Sequence, residues 1–269
     1  MSEQDFSADT RRHSAAHLMA AAVKDLFPNA QFGVGPATQT GFFYDIKLDE
    51  TLTRDDLQRI EKRMKELRKS KHRFEREELN VDEAIAYMDR ENQPFKVELL
   101  KLLKEKGSTA VAKETGDEAV AGDGLETISF YRTGDFVDLC RGPHVDHAGQ
   151  VGHFKLRSIA GAYWRGDQKN AQLQRIHAVA FPTKEELDAE LHRLEEQAKR
   201  DHRKIGKELG LFTIVDEVGS GLPMWLPAGN VIRDELERLA RNTEHRAGYH
   251  RVSTPHITKA DLYFKSGHL

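Results

Sequence analysis

The sequence predicts an α+β fold: an antiparallel sheet packed by helices, then a long helix leading into a smaller second region. Three observations predict it. Residues 10–27 carry an apolar helical pattern with cap residues before it and a stop after it. Between residues 126 and 181 the pattern changes to short β runs separated by turn residues. A strongly charged helical segment then opens at Pro182-Thr183, where a domain boundary is expected.

The elements follow in order. Ser7, Asp9 or Thr10 can cap the first helix, and Phe27-Pro28-Asn29 ends it. Gln31 to Lys47 reads as a hairpin interrupted by Gly33, Gly35 and Pro36, in which Phe42, Tyr44 and Ile46 alternate as in a half-buried strand. Thr53 begins a second helix with Asp56 as its capping-box partner and Leu57, Ile60, Met64 and Leu67 as its apolar stripe. The opposite face is cationic, from Arg59 to Arg73, which suits either a solvated surface or RNA phosphates. Helices are expected at Val81–Arg90 and Lys96–Glu105, and a surface excursion from Gly107 to Gly124. The β runs are Thr127–Arg132, Asp135–Leu139, Gly152–Ile159 and Arg175–Phe181. One helix is expected from Pro182 to about residue 210, with Thr183 and Glu186 as a capping box. Its first half is mostly acidic and its second mostly basic, which complements the helix dipole. Beyond it lie turn-rich hairpin material at Gly219–Gly229, a helix at Asn230–Ala247 with Val231, Leu236 and Leu239 inward, and a short strand ending in Pro255.

Composition bounds the function. The chain has 269 residues, 38% apolar and 32% charged, enough for one large or two ordinary domains with a real core. No stretch approaches the roughly 20 apolar residues that span a bilayer, and the N-terminus lacks an apolar signal core, so no membrane partner is expected. The net charge of −3 excludes the bulk basicity of a nonspecific nucleic-acid coat but leaves room for a local basic face. Cys140 is the single cysteine, which excludes an intramolecular disulfide or a multi-cysteine metal ribbon and fits a reducing, cytoplasmic setting.

A histidine pair and a cysteine–histidine pair could carry chemistry. His13 and His17 stand at i and i+4 on one helix face, with Ala16 and Ala20 beside them to allow close approach. Ser14 occupies the position where a zinc-protease helix needs its glutamate. Cys140 and His144 flank the turn Arg141-Gly142-Pro143 after a β run, and Asp138 shares the strand face of Cys140. Asp138, Arg141 and His144 surround the thiol with ionisable groups that an apolar core would not choose. If they converge, His13, His17, Cys140 and His144 make a zinc set of three imidazoles and a thiolate. They equally make a metal-free water-activating cluster or the surroundings of a cysteine nucleophile. Tyr163, Trp164 and Arg165, between Gly161 and Gly166, offer two π faces and a guanidinium that could stack on an unpaired base and hold a phosphate, or simply complete the core.

RHSAAHLMAAAVKDLFP, GPATQTGFFYDI, DFVDLCRGPHV, GAYWRGD and AKRDHRKIGKELGLF occur in this order, and the sequence resembles bacterial-type threonyl-tRNA synthetases over residues 11–269. The histidine and cysteine pairs are also similar to the editing modules of alanyl-tRNA synthetases. The resemblance implies an editing domain at 1–181, a linker helix at 182–210 and the start of a class II catalytic core, with its first motif, at 211–269. It implies hydrolysis of Ser-tRNA(Thr), with tRNA(Thr) as partner and a homodimer in the full-length family. By the same resemblance His13, His17, Cys140 and His144 line the editing pocket, Asp138 holds the seryl moiety, and Lys96 positions or activates the water. Tyr44 and Asp45 are pocket residues by resemblance. Editing in the family needs no cofactor, which places zinc at the cluster second to metal-free water activation. ATP, Mg and the synthetic-site zinc belong to the remainder of the catalytic core. The family's N-terminal ubiquitin-like domain and the second and third class II motifs are expected to be absent, so aminoacylation is not expected from this chain alone. The rival readings are a metal-dependent hydrolase of small molecules, a catalytically silent tRNA-binding module, and an editing factor acting in trans.

Overall fold

The computed structural model describes residues 6–106 and 127–268, so the excursion expected at Gly107–Gly124 lies outside the described residues. Helix α1 (Ala8–Leu26) is capped by the Ser7 hydroxyl, which accepts from the Thr10 amide at 3.1 Å. Every residue from Arg12 to Val23 is buried, so this helix lies inside the fold and not on its surface. Its run of alanines lets neighbouring backbones come close. Around it, strands β1 (Gln31–Phe32), β2 (Gly41–Lys47), β6 (His153–Tyr163) and β7 (Gln172–Phe181) form an antiparallel sheet in the order β1-β2-β7-β6. Phe42, Tyr44 and Ile46 are buried in the core they share with α1. Helix α2 (Arg54–Ser70) carries the expected Thr53–Asp56 capping box and buries Leu57, Ile60, Met64 and Leu67 in the same core. On its polar face Arg59 pairs with Asp56, Arg63 with Asp25 and Lys65 with Glu61.

The sheet expected as one layer is two. The second, in the order β3-β4-β5, contains β3 (Glu75–Asn80), β4 (Thr127–Thr133) and β5 (Phe136–Leu139). β3 escapes periodicity because Glu75-Arg-Glu-Glu-Leu-Asn80 is an edge strand with little burial on either face, so no apolar alternation marks it. Helices α3 (Val81–Arg90) and α4 (Pro94–Lys106) share a second core with β4 and β5. Helix α4 starts at Pro94, where a missing amide is harmless. Just before it, buried Gln93 accepts from the Phe32 amide at 2.8 Å and donates to the Ala30 carbonyl at 3.0 Å. That clamp ties the start of α4, and hence Lys96, to β1.

The chain divides into two compact units, Met1–Arg193 and Leu194–Leu269. The single helix expected over 182–210 is two, Lys184–Lys199 and His202–Glu208. The break falls where Asp201 caps the second helix by accepting from the Arg203 amide, an N-cap preference that overrides continued helical periodicity. In the second unit, Phe212–Thr213 pairs with Met224–Trp225, and a helix runs from Pro227 to Arg246. Val231, Leu236 and Leu239, expected inward, are exposed on that helix. The segment ending in Pro255 is not a strand: it has no partner strand among the described residues. Among those residues no helix is long and apolar enough to cross a membrane.

Candidate active site

Helix α1 passes β5, and the His13–His17 and Cys140–His144 pairs converge there. Cys140 directly follows β5, and the turn after it carries His144 back over the thiol. Gly142 is required in that turn: its φ is +78°, and a Cβ there would lie 2.5 Å from the Tyr131 hydroxyl. The His13 Nε2 and the His144 Nε2 each lie 3.3 Å from Cys140 Sγ, and the Gly142 amide donates to the same sulfur at 3.2 Å. With His17, the ligand atoms of all four residues lie within 4.8 Å of one another. The His144 ring stacks on Phe74 and meets the edge of Tyr131, which fixes its plane.

A charged group backs this cluster. Asp138, on β5, lies 3.7 Å from His17 Nε2 through Oδ2 and 2.5 Å from Lys96 Nζ through Oδ1. The Tyr44 hydroxyl donates to Asp138, and Lys96 Nζ donates to the Tyr44 hydroxyl at 3.2 Å. Lys96, Asp138 and Tyr44 are each at most 2% exposed. Lys96, which residue type and position alone did not single out, is therefore joined to the imidazoles through one carboxylate.

Other expected residues go elsewhere. Asp45 follows Tyr44 on β2 and so faces the opposite way, where Arg175 holds it through two hydrogen bonds of 2.6 and 2.8 Å. Trp164 is not an open stacking platform. It is 4% exposed, its ring packs on Phe95, and its Nε1 donates to Glu98 at 2.9 Å. Arg165 also pairs with Glu98, at 2.9 Å, which fastens this turn to α4. Tyr163, 42% exposed, is the more accessible ring of the pair. Arg141 is half-buried beside Cys140.

Residues 128–177, which include Cys140 and His144, match the threonyl and alanyl tRNA synthetase second additional domain. The chain is 49% identical over 257 residues to the threonine--tRNA ligase of Dehalococcoides mccartyi (strain CBDB1), an alignment covering 96% of this chain and 40% of that protein. It is 45% identical over 260 residues to the threonine--tRNA ligase of Acetivibrio thermocellus, covering 97% of this chain and 38% of the relative. The corresponding protein of Pelobacter propionicus is 47% identical over 257 residues, covering 96% and 37%. The chain is similar to threonine--tRNA ligases over almost its whole length. It spans about two fifths of the length of these curated relatives.

Burial sets the charge state of this cluster. Desolvation is the largest influence on His13 and pulls it from 6.5 to about 4, with Asp138 opposing and Lys96 assisting. His17 and His144 lie well below the usual histidine range, first because they are buried and then because they face other cationic or imidazole groups. At neutral pH all three imidazoles are uncharged, which leaves nitrogen lone pairs available to accept a proton or a metal. The donor set also fits a zinc ion: tetrahedral Zn–S and Zn–N bonds would put sulfur and nitrogen about 3.5 Å apart, close to the two 3.3 Å separations observed.

Sequence reasoning missed Ser14, Phe74 and Tyr131 as parts of the site. Ser14 stands between the two histidines of one helix, but that spacing says nothing of the contacts its hydroxyl makes. Its identity served only to argue against a protease motif.

Proposed function

We propose that the chain carries the editing activity of a threonine--tRNA ligase, hydrolysing mischarged Ser-tRNA(Thr) at its terminal adenosine ester. The observation that supports this is the convergence of three neutral imidazoles and a thiol beside a buried Lys96–Asp138 pair. Such a site answers a physical need. Serine differs from threonine by one methyl group, and a methyl(ene) discriminates by about 1–3 kcal/mol, too little for translation. A second pocket too small for that methyl removes the errors of the first.

In this reading a water attacks the seryl carbonyl, and His13, neutral and next to the thiol, takes its proton. The ester C–O bond breaks, and the departing ribose oxygen recovers a proton. Lys96, paired with Asp138, orients the water and stabilises developing charge. Asp138 and Tyr44 hold the seryl moiety, while Arg141 and Tyr163 contact the tRNA. The partners are then tRNA(Thr) and a second copy of the ligase, in the cytoplasm.

A metal-dependent hydrolase is the second reading, favoured by the fit of the four donors to zinc. There His13, His17, Cys140 and His144 would hold the ion, which would supply Lewis acidity. One experiment separates them: deacylation of Ser-tRNA(Thr) and Thr-tRNA(Thr) by the purified chain, with and without chelator. Selective loss of the seryl ester is expected, unchanged by chelation, with His13→Ala and Lys96→Ala slower by roughly 100-fold or more. Tight tRNA binding without loss of the ester would refute the proposal, and activity abolished by chelator and restored by zinc would favour the second reading.

A further inference from the structure

Ser14 lies at the centre of a buried set of contacts that includes one ring nitrogen of His144. Its Oγ is 2.8 Å from the Thr10 carbonyl oxygen, 3.0 Å from the Val145 amide nitrogen and 3.0 Å from His144 Nδ1. The residue is fully buried, so no bulk solvent can exchange for these partners. The hydroxyl has one proton to share among them. Val145 can only donate, so it uses one oxygen lone pair. Were the hydroxyl proton aimed at His144 Nδ1, two acceptor oxygens would face each other at 2.8 Å with nothing between them. Placed on the Thr10 contact, the proton resolves that clash and frees the second lone pair for a hydrogen from Nδ1.

We infer that Ser14 is a positioning residue that holds neutral His144 as the Nδ1–H tautomer, with a bare Nε2 aimed at Cys140. The ring nitrogen that receives no proton is set by the bond that the other makes. Nε2 then accepts the thiol hydrogen across 3.3 Å, and the sulfur in turn receives the Gly142 amide hydrogen. The result is a directed row: S–H to His144 Nε2, Nδ1–H to Ser14, and Ser14 O–H to the Thr10 carbonyl. The same bare Nε2 is what a metal ion would need, so the role of Ser14 does not depend on which of the two proposed hydrolytic routes operates. Its importance to catalysis does rest on the proposed hydrolase function.

The test is long-range 1H–15N spectroscopy of the full chain with labelled histidine, His144 being identified by its loss in His144→Gln. Wild type is expected to show His144 protonated at Nδ1 and unprotonated at Nε2. In Ser14→Ala the ring should move toward the Nε2–H form or a mixture, and Ser14→Thr, which keeps the hydroxyl, should restore it. Deacylation should fall roughly 10- to 100-fold in Ser14→Ala and recover in Ser14→Thr. An Nε2–H tautomer in the wild-type spectrum overturns the inference, and this holds even if Ser14→Ala does not fold. An unchanged tautomer in a folded Ser14→Ala also overturns it. The expected spectra without any loss of the seryl ester would uphold the inference about Ser14 while refuting the hydrolase reading.

Discussion

Lys96 Nζ lies 2.5 Å from Asp138 Oδ1, with both side chains closed off from solvent. Two charges taken out of water need each other, because neither retains its hydration. Lys96→Met leaves the Asp138 carboxylate with Tyr44 and His17 alone, and a loss of about 3–5 kcal/mol of stability is expected. The double variant Lys96→Met/Asp138→Leu should lose less than the sum of the two single changes. Urea unfolding of the four proteins checks this, and strict additivity would count against the coupling.

The buried imidazoles make the protein acid-sensitive well above the range where carboxylates titrate. His13 is held near 4, and His17 and His144 also lie below 6.5, so the unfolded chain takes up protons first as pH falls. Stability from these groups is complete above about pH 6.5 and is lost progressively as pH falls toward 4. His13 alone contributes on the order of 3 kcal/mol to that loss. Urea midpoints between pH 7.5 and 4.5 should decline, and His13→Gln should flatten the slope. A level profile would show that the rings titrate normally.

Gly35 holds the Tyr44 ring in place by having no side chain. A Cβ at residue 35 would sit 2.2 Å from that ring, which is already wedged against Phe32 and bonded to Asp138. Gly35→Ala is expected to cost about 1–3 kcal/mol through overpacking. It should also lower deacylation, because Tyr44 takes its contact with Asp138 along when it moves. Thermal unfolding and the deacylation rate of the same preparation test both statements.

The Trp164 turn gives opposite expectations for adjacent residues. Trp164→Ala removes a ring from the second core and a donor from Glu98, at a cost of about 3–5 kcal/mol. Tyr163→Ala, at an exposed ring, should change stability by no more than about 0.5 kcal/mol. Its effect should appear instead in tRNA affinity. Denaturation of the two variants beside a tRNA-binding titration distinguishes core from contact.

How far the molecule was legible from its sequence depends on how local each signal was. The i, i+4 spacing of His13 and His17 and the short return from Cys140 to His144 are local, and both pairs could be read directly. Their meeting is not local, since it depends on α1 running beneath β5, and the resemblance supplied what spacing could not. Tyr44 and Asp45 show the same limit at smaller scale. Strand alternation sends them to opposite faces, yet the resemblance grouped both into one pocket. Trp164 and the helix break at Asp201 were decided by partners and caps that compete with periodicity. Val231, Leu236 and Leu239 satisfy a helical stripe, yet no described residue buries them. Ser14 was invisible for a further reason: its role comes from the direction of a single hydrogen, which residue spacing does not encode.

Cys140 is the chain's sole thiol, and it is shut in by a histidine 127 positions earlier in the sequence. With Cys140 2% exposed, its alkylation is expected to be slow while that contact holds. The rate of its modification is therefore a clock for the opening of the first unit, readable by mass without any added label or engineered reporter. Substrate that stays the opening motion should slow that clock, giving an occupancy signal that owes nothing to turnover.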